Sequence, residues 1–571
     1  MHSKFFAASV LMAVMATGQV WAQDDDDKVS VHGSIQSDIL VPQEDNKIGT
    51  GTYKDDVLTN TYADINVACQ HLEAGARLEF TKYPLPGFEQ DFKGWGVPYV
   101  YAKFKTGKGV DVTVGDFYDQ FGSGLIFRTY EERSLGIDNS IRGAHVAVNA
   151  IKGVQFKALG GVQRRYWDWD TDSWLAGTDL EINLDQYSKR MQENNISWMI
   201  GGSYVLLNYE EDGDNIIVPG TNYRLEMPST VHAFDVRSRL QAGNYSFLAE
   251  YAWRSQDPCA DNGYIYRRGS AVLLSASYSA KGVSALFQAK RSENMSFRSR
   301  RSVTGTSAFV NNMPAFAYQH TYSLPALYPY ATQAAPGEWA FQGEFGYTFK
   351  RNSALGGKYG TKLKLNVSHI RGLDKDPVEP VYGNSVMGTD GYETGFFKMG
   401  KLYYQDINLQ MEKKLSKSFK LNLMYMNQRY DKTVIEGEGG VIKANIFVAE
   451  GKYQFSPKMT LRGEAQYLQT KQDQGDWYYG LLELSVLPYL MFTISDQYNA
   501  NVPYFFESGA VDAGKGTHSQ HYLLGSVTAT YKAHRLQLSY GKTRAGYNCS
   551  GGVCRFVPAS KGLNISYNYT F

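Results

Sequence analysis

The sequence predicts a single large antiparallel transmembrane β-barrel of about 24 strands, within a range of 20 to 26. Three observations support this fold class. Segments of roughly ten residues alternate apolar and polar side chains, tight turns alternate with long loops between them, and no linker divides the chain after residue 29. Because side chains alternate with a period of two, each strand has one apolar and one polar face. Roughly ten residues allow a tilted strand to cross a bilayer.

The composition argues against three other classes of protein. The mean hydropathy of −0.38 excludes a helical membrane protein, whereas a barrel needs apolar residues only at every second strand position. The formal charge of +1 over 571 residues argues against a nucleic-acid partner. Four cysteines are too few for a disulfide scaffold in so long a chain. Cys549 and Cys554 are spaced to close a small loop in an oxidising compartment, and the sequence leaves open whether they pair.

The amino terminus predicts export. Residues 1–22 begin with a basic segment, continue with an apolar run and end on a small-residue cleavage pattern, which is typical of a secretory signal peptide. No cysteine follows the predicted cut, so we do not expect a lipoprotein. We interpret the acidic residues 23–28 as a disordered terminus, and residues 29–571 form the predicted barrel.

The same alternation recurs from hairpin to hairpin. One strand carries Leu72, Ala74, Ala76, Leu78 and Phe80 on one face and Glu73, Gly75, Arg77 and Glu79 on the other. Apolar residues outside and polar residues inside are expected of a wall between lipid and a wet lumen. By the same rule, Arg237 and Arg239 should point inward.

Long connections alternate with tight turns, and the longest predicted connection spans residues 291–337. Short periplasmic turns and long extracellular loops are typical of outer-membrane barrels. A soluble β-sandwich has no need of this asymmetry between turns and loops. Closure of the sheet into a barrel also removes the unpaired strand edges that hydrocarbon cannot solvate. We therefore predict an outer-membrane location with lipid as a partner.

The final strand, residues 563–571, resembles the closing strand of bacterial outer-membrane barrels. Its apolar face ends on Tyr567, Tyr569 and Phe571. The resemblance implies that these three residues form an assembly signal and that the outer-membrane assembly machinery is a partner. Closure of the barrel predicts that this strand pairs with residues 536–542 and with residues 29–41.

Residues 114–143 include Gln120, Phe121, Gly122, Gly124 and Leu125. These positions resemble a Gln-Phe-Gly…Gly-Leu motif of large Bacteroidota outer-membrane barrels, among them capsule-assembly and porin-like proteins. The resemblance implies fold and location. It assigns no functional residue, because the most similar barrels have no established activity.

The segment that follows this motif is too rich in charge for a lipid-facing strand. We predict that it folds into the lumen and pairs with charges of the wall, forming a constriction or plug; a solvated extracellular loop is the alternative. The predicted constriction residues are Arg128, Glu131, Glu132, Arg133, Arg142, Glu73, Arg77, Glu79, Arg237 and Arg239.

The longest connection combines Arg298, Arg300 and Arg301 with several aromatic residues. We expect it to cover the mouth of the barrel, and binding of sugars or anionic lipopolysaccharide is the alternative.

A second loop carries three alternating carboxylates, Asp168, Asp170 and Asp172, a spacing that Ca²⁺ can use. Ser173 stands where a calcium loop has Gly, so a solvated acidic tip is the favoured interpretation. We expect no other cofactor.

No enzymatic motif stands out. His145, His369 and His521 lie in predicted strands, but none accompanies an obvious nucleophile. We therefore predict a non-enzymatic, porin-like passive channel for polar solutes. The alternative is a scaffold or assembly partner that docks surface lipoproteins or other outer-membrane proteins.

Overall fold

The computed structural model describes residues 29–169, 171–210, 216–380 and 385–571, so the predicted signal peptide (1–22) and acidic segment (23–28) lie outside it. In the described residues, 24 antiparallel strands form one closed barrel. The predicted fold class and strand number are therefore confirmed.

The strands are long enough to cross a bilayer, with few exceptions. Their bounds are β1 Ser30–Pro42, β2 Leu58–Ala68, β3 Leu72–Thr81, β4 Gly94–Lys105, β5 Val110–Phe117, β6 Ile141–Val148, β7 Val154–Arg165, β8 Ser173–Asn183, β9 Ile196–Tyr209, β10 Thr230–Ala242, β11 Tyr245–Arg254, β12 Gly269–Ala280, β13 Val283–Glu293, β14 Glu338–Phe349, β15 Thr361–Leu373, β16 Met399–Lys414, β17 Phe419–Asp431, β18 Val441–Ser456, β19 Met459–Gln469, β20 Trp477–Val486, β21 Leu490–Pro503, β22 Thr517–Tyr531, β23 His534–Thr543 and β24 Ser560–Thr570.

Helices are few and short. The α-helices are Lys189–Glu193 and Lys432–Ile435, and the 3₁₀ helices are Gln90–Phe92, Leu184–Tyr187 and Ala260–Asn262. Short strands outside the wall are Glu131–Glu132, Ile137–Asp138, Asp168–Trp169, Asp376–Pro377, Tyr392–Glu393, Gly546–Ser550 and Val553–Val557. Over the described ranges, no helix has the length and apolar character needed to span a membrane.

The first and last strands close the barrel as predicted. β24 lies between β1 and β23, with Tyr569 opposite Ile35 and Tyr567 opposite Leu536. The backbone of Phe571 exchanges two hydrogen bonds of 3.0 Å with Gly33. The Phe571 ring covers Gly33, where a Cβ atom would come within 2.2 Å of the ring. Closure leaves no unpaired edge at this seam.

The outward face carries an apolar band between two aromatic girdles. Near the long-loop rim the rings of Tyr425, Phe447, Tyr467, Tyr478 and Tyr498 follow one another with centroids 5.0 to 6.4 Å apart. Tyr489 and Tyr531 mark the opposite rim. Tyr489 and Tyr498 are nine residues apart (498 − 489). That is roughly 23 Å across the membrane at a tilt of about 40°. This height suits a membrane-spanning wall.

The connections divide into a short-turn rim and a long-loop rim, as predicted. Two connections on the short-turn rim are longer than a tight turn. Residues 184–195 contain helical segments, and residues 350–360 form an irregular turn. The long-loop rim includes residues 118–140 and 294–337, the two connections that shape the lumen.

Candidate pore and its inward loops

The long-loop half of the lumen contains a hydrophobic core instead of open water. Inward residues of the wall, such as Val205, Met426 and Ile446, are fully buried. They belong to one cluster with Phe121 and Leu324, which come from the two long connections. We call residues 118–140 the first inward loop, residues 294–337 the second inward loop, and the two together the plug.

The first inward loop enters the barrel through the motif singled out in the sequence. Phe121, Leu125, Ile126 and Phe127 are fully buried. Gly122 adopts a φ of +51°, which turns the chain so that Ser123 N donates to both carboxylate oxygens of Glu250 on β11, at 3.2 and 3.1 Å. The apolar residues of this loop therefore pack inside the barrel while its backbone is bonded to the wall.

Gly122 has no room for a side chain. A Cβ atom there would lie 2.7 Å from Glu250 Oε1 and 3.0 Å from Arg237 Cδ. Gly122→Ala is expected to cost about 2–3 kcal/mol of unfolding free energy, measured by denaturant titration in detergent. Gly243→Ala is the matched control, because Gly243 also has a positive φ of +56° but has nothing within 4 Å. It should cost only about 1 kcal/mol. Equal losses would exclude steric contact as the cause.

Arg77 joins the first inward loop to the wall. Its guanidinium lies 3.1 Å from Glu131 and 2.8 Å from Asp138 on the loop, and 2.8 Å from Asp64 on β2. Arg164 of β7 also contacts Asp138, at 2.5 Å. The loop is thus bonded across several strands by charge-assisted hydrogen bonds, which are stronger than neutral ones.

The two loop carboxyls of this network differ in acidity. Burial raises the pKa of Asp138, but Arg164 and Arg77 outweigh it and hold the pKa below its usual value. Burial also raises the pKa of Glu131, and there it outweighs Arg77 and Arg133. On acidification the Arg77–Glu131 contact should therefore weaken before the Arg77–Asp138 contact.

The other predicted constriction residues, apart from Arg142, fall into three groups. Some join this network or the loops. Arg133 contacts Asp64 at 2.9 Å, and Glu79 contacts Arg164 at 2.7 Å. Glu132 accepts from Ser550 at 3.1 Å, and the Arg128 guanidinium lies over the Tyr130 ring. Others form separate clusters on the inner wall: Glu73 with Lys105 at 2.8 Å, and Arg237 with Asp235 at 2.8 Å and Asp179. Arg239 is exposed on the same inner face.

Arg142 lies elsewhere. It shares the outward parity of Ala144 on β6, contacts Asp116 at 2.7 Å and lies 3.3 Å from the Trp169 ring centroid. Its strand begins at Ile141, whose buried side chain points inward, so the next position points outward. Arg142 therefore does not line the lumen with the other predicted residues.

The second inward loop crosses the barrel to the opposite wall. Leu324 N donates to Gln466 on β19 at 2.8 Å, and Tyr318 N donates to Ser368 on β15 at 3.1 Å. His320 contacts Asp406 on β16 at 2.5 Å. The loop thus lies within the barrel, whereas the sequence suggested a cover over its mouth.

Glu338, at the start of β14, anchors the end of the second inward loop. It is fully buried and pairs with the equally buried Lys290 of β13 at 2.8 Å. The same carboxylate accepts from Gln333 N at 2.9 Å and from the Tyr330 hydroxyl. Neither charged residue was among the predicted constriction residues, although each lies on the inward parity of its strand beside the longest connection.

The two inward loops bond to each other. Arg128 N donates to Val310 O at 2.9 Å, and Asn312 N donates to Gly124 O at 3.0 Å. Asn311 Nδ2 donates to Leu125 O at 2.8 Å. The plug is therefore one hydrogen-bonded body, and residues more than 180 positions apart build it.

A hairpin near the carboxyl terminus packs on the plug. It comprises Gly546–Ser550 and Val553–Val557, and a disulfide joins Cys549 to Cys554. Gly552 O accepts from Thr332 N at 2.9 Å. We call it the C-terminal hairpin. A cavity of about 260 Å³ and another of about 370 Å³ lie between it and the second inward loop.

The smaller cavity is lined mainly by residues of two segments, the C-terminal hairpin and the second inward loop. Asn548 and Gly552 of the C-terminal hairpin line it on one side, and Tyr318 and Thr321 of the second inward loop line it on the other. Thr321 is exposed, and the Tyr318 ring lies 4.8 Å from Lys364 Nζ, near the short-turn end of β15. The cavity therefore lies between the C-terminal hairpin and the part of the second inward loop that approaches the short-turn half of β15.

We call the part of the lumen on the short-turn side of the plug the lower half of the lumen. There the inner wall is polar. Six inward residues of adjacent strands form one row, and all are partly exposed: Arg462, Glu483, Thr493, Ser526, Ser539 and Asn564. Arg462 contacts Glu464 at 3.0 Å and Glu483 at 3.1 Å. We call this row the inner polar row. Side chains of this charged and hydroxyl type are typical of a water-filled lumen.

The candidate calcium residues do not form a described cluster. Asp172 pairs with Arg300 at 3.0 Å, Asp168 is exposed, and Asp170 lies outside the described residues. In the described ranges, no group of three or more metal-ligating side chains comes together.

The three histidines singled out in the sequence have bonded partners. His145 contacts Asp119 at 2.9 Å, His369 contacts Gln405 at 3.1 Å and His521 contacts Asp496 at 2.6 Å.

Comparisons with known proteins identify a family without an assigned activity. A family model described as "Family of unknown function (DUF6029)" matches residues 1–571. No curated protein matches the chain.

Several solved structures resemble the chain weakly. A mutant of the ferric enterobactin receptor (PfeA) of Pseudomonas aeruginosa, in complex with enterobactin, has a TM-score of 0.43 at 9% identity over 96% of this chain and 82% of that chain. OccAB3 of Acinetobacter baumannii has a TM-score of 0.34 at 9% identity over 96% and 99%. The siderophore receptor PirA of Pseudomonas aeruginosa has a TM-score of 0.39 at 10% identity over 96% and 81%. Likeness at this level carries no argument about function.

Proposed function

Because the chain belongs to a family of unknown function (DUF6029), we infer its function from its lumen and propose an outer-membrane channel for small polar solutes. The outer membrane suits a closed barrel with an apolar outward band and two aromatic girdles. In that location the short-turn rim faces the periplasm and the long-loop rim faces outward.

One observation carries the channel proposal: the 260 Å³ cavity beside the C-terminal hairpin is lined by Thr321, an exposed residue in the part of the second inward loop that approaches the short-turn half of β15. Its lining mixes tyrosine rings, such as Tyr318 and Tyr547, with polar side chains, such as Gln319 and Asn548. A solute that leaves this cavity enters the lower lumen, where the inner polar row can replace part of its hydration. The plug thus narrows the route to small solutes, while a barrel of this width is otherwise wide enough for an aqueous channel.

The proposal is tested by recording from the purified protein in planar bilayers. We expect ohmic current steps in simple salt, well below those of an unobstructed barrel of similar strand number, because the route is confined to one side of the plug. Protease that digests the exposed loops and leaves the strands of the barrel intact shows that the protein is inserted in the membrane. Inserted protein that carries no current would contradict the channel proposal.

A second candidate function is a membrane-embedded scaffold that docks surface lipoproteins or other outer-membrane proteins. The observation that favours it is the dry core of the plug, which includes the fully buried Lys290–Glu338 pair. A scaffold of this kind carries no current and co-purifies with a stable partner. Conductance by the isolated chain would exclude a sealed barrel. We propose no catalytic role under either function.

The assembly role suggested for Tyr567, Tyr569 and Phe571 remains a proposal. It is supported by their place at the closing seam, where the Phe571 ring covers Gly33 and stacks near Tyr569 at 5.7 Å. Substitution of Phe571 by Ser is expected to lower the amount of folded protein in the outer membrane, measured by gel mobility without heating. Retention of the unheated mobility and yield would contradict an assembly role.

A further inference from the structure

A row of basic and polar side chains crosses the outward face of β15 to β18 near the long-loop rim. His369 lies opposite Gln405, Gln405 opposite Arg429, and Arg429 opposite Lys443, so the four residues occupy adjacent strands at one level. We call these four residues the outward basic row. Its members lie side by side at the spacing of neighbouring strands, roughly 5 Å apart per strand.

The orientation of this row follows from its strand neighbours. On each strand the alternate residues, including Ile370, Tyr404, Gln428 and Ala444, are buried inside the barrel. Residues of the same parity as the row are exposed. These are Leu365, Ile407, Tyr425 and Phe447. The outward basic row therefore faces the membrane side of the wall.

The two permanent cations of the row lack a carboxylate partner. In the described part of the chain, neither Arg429 nor Lys443 forms an ion pair, and Arg429 Nε is buried without a hydrogen-bond partner. The nearest acid along the strand, Asp431, is already paired with Lys401 at 2.6 Å. Most other arginines near the lumen are paired with acids. The outward basic row, by contrast, presents uncompensated positive charge.

The row lies at the level of lipid headgroups. Arg429 is four residues beyond Tyr425 (429 − 425), and Lys443 is four residues beyond Phe447 (447 − 443), both toward the long-loop rim. That separation is roughly 13 Å along a strand above the aromatic girdle. Aromatic girdles mark the boundary between acyl chains and headgroups. On the next strand Gln469 lies opposite Asn445, and the exposed Lys471 follows two residues later, so the positive charge continues toward the loop.

The chemistry of the row suits a phosphate group. A guanidinium can donate two parallel hydrogen bonds to phosphate oxygens, and an ammonium adds a compact charge. His369 Nδ1 is engaged with Gln405 Oε1 at 3.1 Å, which leaves its Nε2 available for a further contact. Asn427 and Asn445, bonded to each other at 3.0 Å, lie one row closer to the acyl chains.

We propose that the outward basic row binds the phosphorylated headgroup of a glycolipid in the outer leaflet. The ligand class is a phosphorylated sugar with acyl chains, whose chains lie along the apolar band below the girdle. This inference rests on the outer-membrane location in the proposed function and is independent of conduction through the lumen.

The test compares two double variants in detergent by native mass spectrometry with added diphosphorylated lipid A. Arg429→Gln with Lys443→Gln should lower the lipid-bound fraction by about tenfold, because two charge-assisted contacts are lost. Lys458→Gln with Lys532→Gln is the matched control, since both lysines are exposed on the short-turn rim. The control pair should retain wild-type binding. Dephosphorylated lipid A should bind the wild type about as weakly as the diphosphorylated lipid binds the first variant.

Three results would overturn the proposal: equal loss in both double variants, no loss in either, or equal binding of both lipids to the wild type. The last would mean that acyl chains alone account for retention. The bilayer conductance of the Arg429→Gln, Lys443→Gln variant should match the wild type. A wild-type protein that conducts but does not bind lipid would therefore contradict the lipid site and leave the channel proposal standing.

Discussion

Glu338→Gln is expected to destabilise the protein more than any other single change considered for the plug. The substitution keeps an acceptor for Gln333 and Tyr330 but leaves Lys290 charged, fully buried and without its counter-charge. Removing one partner of a buried pair costs about 3–5 kcal/mol, because the remaining charge stays desolvated. The end of the second inward loop should loosen, and the single-channel current should become larger and noisier.

A double-mutant cycle separates this effect from a general loss of packing. Lys290→Met combined with Glu338→Gln removes both charges and should recover much of the unfolding free energy lost in the single variant, measured by denaturant titration of tryptophan fluorescence. A double variant at least as unstable as Glu338→Gln would show that the ion pair is not the anchor.

Arg77→Met should release the first inward loop. The side chain is nearly buried and contacts Asp64, Glu131 and Asp138 at 2.8 to 3.1 Å. Its loss leaves these carboxylates with only Arg133 and Arg164 nearby, and we expect a cost of about 3 kcal/mol of unfolding free energy. The freed loop should widen the route, so the mean conductance should rise.

Arg239→Met is the matched control for Arg77→Met. Arg239 also lies on the inner face, on β10, but it is exposed below the plug. Its substitution should change the stability by less than about 1 kcal/mol and leave current noise unchanged. Equal effects from the two variants would mean that the charge of the lumen, and not attachment of the loop, determines the current.

The wall of the barrel could be predicted from sequence because its physics is local. In β3 the alternation from Leu72 to Phe80 is visible in consecutive letters of a strand of 10 residues, and pairing of β1 with β24 follows from closure. The inward fold of the first loop was also predictable, since its charge density does not suit lipid. Arg142 was misplaced because it was grouped with the charged loop before it, although it precedes Ala144 by two positions in β6 and therefore shares its outward parity.

The plug could not be predicted in full because its contacts are distant in sequence. Arg298 and Arg301 look solvated in the sequence, yet they contact Asp261 at 2.6 Å and Asp257 at 3.0 Å, and these partners lie 37 and 44 positions away. The inward residues Met426 and Ile446 also depart from the rule of a polar lumen. They are apolar because another part of the chain covers them, which strand alternation does not encode.

The route past the plug is tested most directly by thiol labelling during bilayer recording. In a background with Cys69→Ser and Cys259→Ala, three single cysteines replace Ala317 in the cavity, Ser526 in the inner polar row and Val527 on the lipid face. A charged, membrane-impermeant thiol reagent is added on the side of the long loops in one set of recordings and on the short-turn side in a second set. A channel past the C-terminal hairpin predicts that Ala317→Cys and Ser526→Cys lose most of their current, while Val527→Cys keeps its current. Loss of current in Ser526→Cys only when the reagent is added on the short-turn side would contradict a channel past the C-terminal hairpin.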